Sequence, residues 1–158
     1  LALSVVNEIG RKEALQHYPN LLERYILPQP RVALGPLLID IATSCIDISD
    51  GLCADLNQIC EASQVGAEIK QAAIPLSLIA KKLVKNNKNN WQYVLGGGDD
   101  YELLFTANKN KRKVIKKLAN QIGVPISRLG SIKTAGGVLV LNKTGDLVPV
   151  DVQGWKHF

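Results

Sequence analysis

The sequence lacks methionine altogether, and no apolar run approaches the roughly 20 residues needed to span a bilayer. Its first residues, LALSVVNEIGRKEAL, also lack the basic start and small-residue cleavage site of a signal peptide. These absences argue against a membrane-spanning or secreted protein and favour a cytoplasmic one. Because the chain begins at an apolar Leu1 and continues like the middle of a helix, we expect a fragment whose neighbouring domain lies upstream.

The cysteines and histidines are too few and too scattered for several common catalytic and metal sites. There are three cysteines, none in a C-x-x-C pair. Cys53 and Cys60 fall on one helical face, so we interpret them, together with Cys45, as reduced core residues rather than metal ligands. His17 and His157 lie near opposite ends of the chain, and no Ser-His-Asp or Cys-His arrangement is visible.

The net charge of +5 comes largely from two basic segments, KKLVKNNKNN at residues 81–90 and KNKRKVIKK at residues 109–117. In the second segment Val114, Ile115 and the following Leu118 have helical spacing, which predicts an amphipathic helix with a solvated basic side. Nucleic-acid binding would favour aromatic side chains among the basic ones, and neither segment contains any. We therefore expect no nucleic-acid partner, although a basic surface can steer phosphorylated ligands.

The amino-terminal part is predicted to be helical, with breaks near Gly10 and Pro19. It leads into LPQPRVALGP at residues 27–36, where three prolines indicate an extended linker and a domain boundary. We therefore expect residues 1–26 to be the connecting helices at the end of a preceding domain, and residues 27–158 to form the next domain.

The remaining chain mixes short strands with helices. A helix is predicted over residues 51–63, with Asp55 pointing away from its apolar face, and Pro75 is predicted to open another helix. The other predicted elements are strands over residues 45–48, 67–70, 101–107, 128–133 and 138–142, a basic helix over residues 109–122 and a hairpin turn near residue 145. This mixture predicts the class α/β (α+β), a layered mixed sheet with flanking helices.

The first candidate site is IDISDGL at residues 46–52, which we call the first acidic motif. Strand alternation places Asp47 and Ser49 on the face opposite the isoleucines, and Asp50 falls where the strand becomes a helix. Free N–H groups at such a helix start would favour an anion, and the carboxylates could bind Mg²⁺ that accompanies a phosphate. The alternative is that Ser49 or Asp50 is only a helix N-cap, which leaves Asp47 unexplained.

The second candidate site is VLGGGDDYELLF at residues 94–105, which we call the second acidic motif. Glycine is costly to order, so the run at residues 96–98 indicates a backbone path that side chains would block. Asp99 and Asp100 then lie at the mouth of a strand. The alternative is a flexible glycine loop with solvated aspartates. The motif is neither a P-loop nor a dinucleotide-binding G-x-G-x-x-G turn.

Taken in order, several segments resemble the carboxy-terminal half of the thiamine-monophosphate kinase family, from about Arg24 to Phe158. They are RYILPQPRVALG, IDISDGLCADLNQICEASQVGAEI, IPLS, LGGGDDYELLFT and the terminal GWKHF. The wider superfamily includes aminoimidazole ribonucleotide synthetase and selenophosphate synthetase. The resemblance implies the carboxy-terminal domain fold of that superfamily and an ATP- and Mg²⁺-dependent phosphotransferase. Such an enzyme converts thiamine monophosphate into thiamine diphosphate, with ATP as co-substrate.

The resemblance also implies roles for individual residues. Asp47 and Asp50 would be Mg²⁺ ligands, and Ser49 would contact the nucleotide phosphates. Asp99 stands at a substrate-contact position where the family usually has Glu, and Trp155 matches an aromatic residue that lies against the substrate. A flat indole suits the cationic thiazolium ring. No residue of this chain is assigned a covalent catalytic role.

In the family, an upstream domain carries ATP-binding and metal-binding carboxylates and forms a homodimer, so the 158-residue chain by itself is expected to be inactive. Two alternatives stay open. One is another ATP-dependent enzyme of the same superfamily, although the terminal GWKHF favours the thiamine kinase. The other is a non-catalytic basic interaction module acting through residues 81–90 and 109–117, which would leave both acidic motifs unexplained.

Overall fold

A computed structural model describes residues 1–150 of the chain. Helices and strands are numbered in chain order. The α-helices are α1 (Ala2–Ile9), α2 (Arg11–His17), α3 (Pro19–Ile26), α4 (Leu52–Ala62), α5 (Leu78–Asn86), α6 (Trp91–Leu95) and α7 (Arg112–Ile122). The strands are β1 (Ala42–Asp47), β2 (Gly66–Lys70), β3 (Leu103–Ala107), β4 (Gly130–Lys133), β5 (Gly137–Leu141) and β6 (Leu147–Val148). Within residues 1–150, no helix combines the length and the apolar character needed to cross a membrane.

The three amino-terminal helices pack around a small core of their own. The predicted breaks occur at Gly10, which has a φ of 81°, and at Pro19, the first residue of α3. Ala14 and Leu22 are almost completely buried between the helices. This core is a cluster separate from the main one, and Leu83 of α5 also packs against it.

Two sheets flank helix α4 and confirm the predicted α+β class with a mixed sheet. Strands β1 and β3 form an antiparallel pair in which Asp47 lies opposite Leu103. The second sheet has the order β4-β2-β5-β6, with β2 and β5 parallel and the other neighbours antiparallel. Helix α4 contacts strands of both sheets, so its apolar face, with Leu56, forms the centre of the main core.

Helix α7 confirms the prediction of an amphipathic basic helix. Its buried Leu118 packs with Leu34 and Leu38, which belong to the segment between α3 and β1. Its basic side chains lie mostly on the exposed side. The helix ends at Gly123, where a φ of 65° provides the left-handed conformation that commonly terminates helices.

Several local predictions are wrong. Pro75 does not open a helix, because α5 begins later, at Leu78, where the Ser77 side chain accepts a hydrogen bond from the Ala80 N–H. Cys45 is exposed rather than part of the core, because β1 belongs to a two-stranded sheet that is covered incompletely. Helix α6 forms in a stretch for which no helix is predicted.

Candidate functional site

The two acidic motifs lie side by side, joined by backbone hydrogen bonds that continue the pairing of β1 with β3. The Ile48 N–H donates to the Glu102 carbonyl over 2.8 Å, and the Tyr101 N–H donates to the Ile48 carbonyl over 2.9 Å. One step further, the Asp99 N–H donates to the Ser49 carbonyl over 2.9 Å. The structure therefore brings Asp47, Ser49 and Asp50 to the same end of the two-stranded sheet as Asp99.

Glycines allow this close approach. A Cβ at Gly98 would overlap the carbonyl oxygen of Ser49, and a Cβ at Gly51 would come within 2.8 Å of the Gly96 carbonyl carbon. Gly51 also has a φ of +123°, a conformation that other residues rarely adopt. The contacts support a backbone path that side chains would block, and they argue against a flexible glycine loop.

Asp55 holds the first acidic motif through the backbone N–H groups of that motif. Its side chain is completely buried, and its carboxylate accepts hydrogen bonds from the N–H groups of Ser49 (3.0 Å), Asp50 (3.1 Å) and Gly51 (3.1 Å). Desolvation raises the pKa of this carboxyl, the hydrogen bonds from the three N–H groups oppose the rise, and the Asp50 charge adds to it. The N–H groups that could have held an external anion are thus occupied by an internal one.

Two expectations for this motif are therefore wrong, and so is the alternative that Ser49 or Asp50 is only an N-cap. Asp55 does not point away from the apolar face, and the helix start is not free to bind an anion. Neither Ser49 nor Asp50 is the N-cap of α4, because that position is held by Gly51, without a side-chain hydrogen bond. Helical spacing alone does not reveal the role of Asp55, because that role depends on the contact of the Asp55 carboxylate with the N–H groups of residues 49–51.

The side chains of Asp47 and Asp50 remain free for a ligand. Asp47 is exposed, Asp50 is partly buried, and neither carboxylate takes part in an ion pair formed within residues 1–150. Mg²⁺ favours such a donor set, because it is commonly held by one or two carboxylates with phosphate and water as further ligands. In the same part of the chain no three His, Cys, Asp or Glu residues are grouped for a metal. The pair therefore fits a metal that arrives with a phosphate and not a closed metal site.

The second acidic motif has a strained backbone at Asp99 and Tyr101. Asp99 and Tyr101 have φ angles of 63° and 51°, in a region that costs non-glycine residues on the order of 1–3 kcal/mol each. The Tyr101 hydroxyl donates a hydrogen bond to the Asp99 carboxylate over 3.2 Å. That bond raises the pKa of Tyr101, and the charges of Asp99 and Asp47 raise it further. The charge of Asp47, in the first acidic motif, therefore acts on a residue of the second.

Asp100, beside this strained segment, carries a perturbed carboxyl. Part of its side chain is exposed, yet surrounding atoms remove enough water to raise the pKa to about 6. The Arg24 charge opposes this rise, whereas the charges of Glu102 and Asp99 contribute to it. Negative charge is therefore concentrated at this end of the sheet.

Sequence reasoning missed a cluster of two arginines on one carboxylate. Glu102 accepts hydrogen bonds from Arg31 and Arg24, at distances of 2.6–2.7 Å. Both arginines lie in the RYILPQPRVALG segment, which the resemblance includes without assigning them a role. Trp155, the remaining predicted site residue, falls in residues 151–158, outside the described part of the chain.

Comparison with known proteins identifies the fold and the family, although no family model matches the chain. Thiamine-monophosphate kinase of Escherichia coli O157:H7 is 36% identical over 139 residues, which is 87% of this chain and 42% of that protein. A crystal structure of thiamine-monophosphate kinase from Stenotrophomonas maltophilia K279a superposes with a TM-score of 0.81 at 36% identity, covering 88% of this chain and 45% of that one. A structure of AaThiL complexed with AMPPCP and TMP gives a TM-score of 0.69 at 33% identity, covering 88% and 41%.

The fold and the paired acidic motifs therefore define an α+β domain of the kind found within larger kinases. In sequence and in structure, the chain matches part of the length of thiamine-monophosphate kinases. This match confirms the resemblance to that family seen in the motifs. The chain spans less than half the length of the relatives it matches, 42% in the case of the Escherichia coli O157:H7 protein.

The close approach at Gly98 predicts the effect of adding a single methyl group there. Gly98→Ala must separate the two acidic motifs, so we expect a loss of roughly 1–3 kcal/mol in the free energy of unfolding. Urea unfolding of the 158-residue chain measures it. Gly136→Ala is the control, because a Cβ there meets nothing within 4 Å, and its effect should stay within about 0.5 kcal/mol. Equal effects at both positions would contradict the assigned contact.

The raised pKa of Asp100 predicts a pH-dependent gain from Asp100→Asn. A carboxyl whose pKa rises from 3.8 unfolded to about 6 folded stabilises the fold while protonated, and this contribution is lost as the pH rises through about 6. Asp100→Asn should therefore be more stabilising, relative to the wild type, at neutral pH than near pH 4, as measured by urea unfolding.

Asp146→Asn serves as the control for this measurement. Hydrogen bonds from Thr144 and Asn142 lower the pKa of the Asp146 carboxyl, so its removal should bring no gain at neutral pH. A pH-independent difference between wild type and Asp100→Asn would show that Asp100 does not carry the perturbed pKa.

Proposed function

We propose that this chain is the carboxy-terminal part of a kinase that transfers the γ-phosphoryl group of ATP to thiamine monophosphate and releases thiamine diphosphate. Residues 1–26 would be connecting helices, and residues 27–158 the carboxy-terminal kinase domain. The observation that carries the proposal is the backbone hydrogen bond from Asp99 to Ser49, which joins the two acidic motifs into one site. Support comes also from the relatives named thiamine-monophosphate kinase and from a similar structure complexed with AMPPCP and TMP.

The first acidic motif would hold the nucleotide side of the reaction. Asp47 and Asp50 would be ligands of Mg²⁺, which when bound supplies positive charge against the phosphate oxygens. The backbone groups of Ser49 are already used, since its N–H donates to Asp55 and its carbonyl accepts from Asp99. Its hydroxyl is the group left to donate to a phosphate oxygen.

The second acidic motif would hold the thiamine side. Asp99 presents a carboxylate, whose negative charge favours the cationic thiazolium ring, and the Tyr101 hydroxyl fixes that carboxylate by a hydrogen bond of 3.2 Å. Asp is shorter than the Glu expected here from the family pattern, so the substrate would have to approach the loop more closely. Trp155 would provide a flat apolar surface for the ring.

This arrangement suits phosphoryl transfer without a nucleophilic side chain. Such reactions depend mainly on aligning the phosphates and neutralising their charge, with little covalent chemistry by the protein. Among the described residues, no three His, Cys, Asp or Glu side chains are grouped for a metal. Asp47 and Asp50, at the junction of β1 and α4, would therefore bind the metal only in part. Further ligands would come from an upstream part of the full-length protein, which would also form a homodimer.

The proposal also assigns the protein to the cytoplasm. Its three cysteines are free thiols, as expected in a reducing compartment. Burial raises the pKa of Cys53 to about 11, so this thiol stays protonated and unreactive at neutral pH.

The activity is tested by coupling ADP release to a colour change, with thiamine monophosphate, ATP and Mg²⁺. A longer gene product that carries this chain behind an upstream half should turn over thiamine monophosphate, and aminoimidazole-type substrates should give only background. The 158-residue chain by itself should show no turnover. A preference for another substrate would refute thiamine monophosphate as the substrate. Turnover by the 158-residue chain itself would refute the inference that the site needs further metal ligands.

Asp50→Asn in the longer protein tests the metal-ligand role. Losing one charged ligand should lower kcat by roughly 100-fold or more, because charge neutralisation carries the reaction, while the unfolding midpoint stays close to that of the wild type. Glu61→Gln is the matched control: Glu61 lies on the exposed surface of α4, and its carboxylate accepts a hydrogen bond from the Asn57 side chain. Unchanged kinetics in Asp50→Asn would remove this residue from the site.

A further inference from the structure

The cluster on Glu102 has the geometry of a strong, directional contact. The Arg31 guanidinium binds the Glu102 carboxylate in a bidentate contact, which we call the fork. Its Nε donates to Oε2 over 2.7 Å, and its Nη2 donates to Oε1 over 2.6 Å. Arg24 Nη2 donates to the same Oε1 over 2.7 Å. Such forked pairs fix orientation as well as distance. The Arg31 side chain keeps only 22% of its surface exposed, so water screens this pair less than an ordinary surface pair.

The cluster joins separate parts of the chain at the site. Arg24 belongs to α3, and Arg31 to the proline-rich linker. Glu102 follows the strained Tyr101, and its own carbonyl accepts the Ile48 N–H from the first acidic motif. One residue therefore connects the amino-terminal helices and the linker to both acidic motifs.

The strained loop needs support of this kind. Asp99 and Tyr101 have positive φ angles, and such conformations persist only where surrounding contacts determine them. The backbone bonds to Ile48 and Ser49 hold one side of the loop. The two hydrogen bonds from Arg31 hold the side chain of Glu102, which lies between Tyr101 and the start of β3 at Leu103.

The cluster also carries an excess of positive charge towards the acidic loop. Two guanidinium groups share a single carboxylate, and the Arg24 charge acts on the carboxyl of Asp100. The Arg24 charge thereby offsets part of the repulsion that Asp99 exerts on the carboxylate of Asp100.

We propose that Arg31 is a positioning residue for substrate binding, which acts through the carboxylate of Glu102 and holds the loop of Asp99 in its binding conformation. This inference rests on the proposed function in so far as Asp99 contacts the thiamine substrate. Arg24 assists by donating a hydrogen bond to the same carboxylate oxygen.

Amide hydrogen exchange of the 158-residue chain tests the positioning independently of activity. In Arg31→Gln, protection of the Asp99 and Tyr101 N–H groups should fall roughly tenfold or more, while amides of the second sheet stay within about twofold of the wild type. Arg31→Lys keeps the charge but cannot form the fork, so it should restore only part of the protection. Unchanged protection at Asp99, or an equal loss in both sheets, would overturn the proposal.

Arg128→Gln is the matched control for this experiment. Arg128 contacts the carbonyl of Gly130 and the hydroxyl of Ser131 at an exposed strand, away from the acidic motifs. Its loss should leave protection of the Asp99 N–H unchanged. A fall as large as in Arg31→Gln would show that the effect follows the loss of any arginine.

Steady-state kinetics of the longer protein tests the role in substrate binding. Arg31→Gln and Glu102→Gln should each raise KM for thiamine monophosphate roughly tenfold, with KM for ATP nearly unchanged, and the double variant should be no worse than either one. Equal rises in both KM values would indicate a merely structural role. If the wild-type protein showed no turnover of thiamine monophosphate, the proposed function would fail, while the exchange experiment would still decide whether Arg31 positions the loop.

Discussion

Three backbone hydrogen bonds between residues 48–49 and 99–102 hold the candidate site together. They involve main-chain groups only, so they leave the side chains at the end of the sheet free for ligands. Gly98 and Gly51 make the contact possible, because a Cβ at either position would meet the opposite backbone. The spacing between the two acidic motifs is therefore fixed by main-chain pairing, while their chemistry is set by side chains that take no part in that pairing.

Asp55 completes this arrangement from within the core. A buried carboxylate is costly unless hydrogen bonds compensate it, and here the N–H groups of three consecutive residues, 49–51, provide the compensation. The first acidic motif is thus held through its carbonyls by the second motif and through its N–H groups by Asp55. What remains accessible is the Ser49 hydroxyl and the carboxylates of Asp47 and Asp50, which suits a loop that must present donors for cations and phosphates in fixed directions.

Acidic groups crowd one end of the two-stranded sheet, and this adds to the cost of desolvation there. Desolvation raises the pKa of Asp100 to about 6, and the charges of Glu102 and Asp99 contribute to the rise. The chain offsets part of this cost with the two arginines on Glu102. Under the proposed function, a divalent cation and a cationic thiazolium ring would offset the rest of this cost, because both would bring positive charge to this end of the two-stranded sheet. The chain matches 42% of the length of the Escherichia coli O157:H7 kinase. Under the proposed function, the described residues would form one side of a larger site.

The sequence by itself determined the fold class, the two acidic motifs and the family, because each depends on local patterns: strand alternation, helical spacing, and glycines set beside acids. Helix α4, β1 and the end of α7 at Gly123 follow from such patterns. Helix α5 was placed too early, since both Pro75 and Ser77 can start a helix, and it is the Ser77 side chain that caps α5 by accepting a hydrogen bond from the Ala80 N–H. Tertiary structure alone decided that Asp55 turns inward to hold the first motif and that Arg24 and Arg31 meet Glu102. The latter contacts join residues 71 or more positions apart, a separation over which no local periodicity operates.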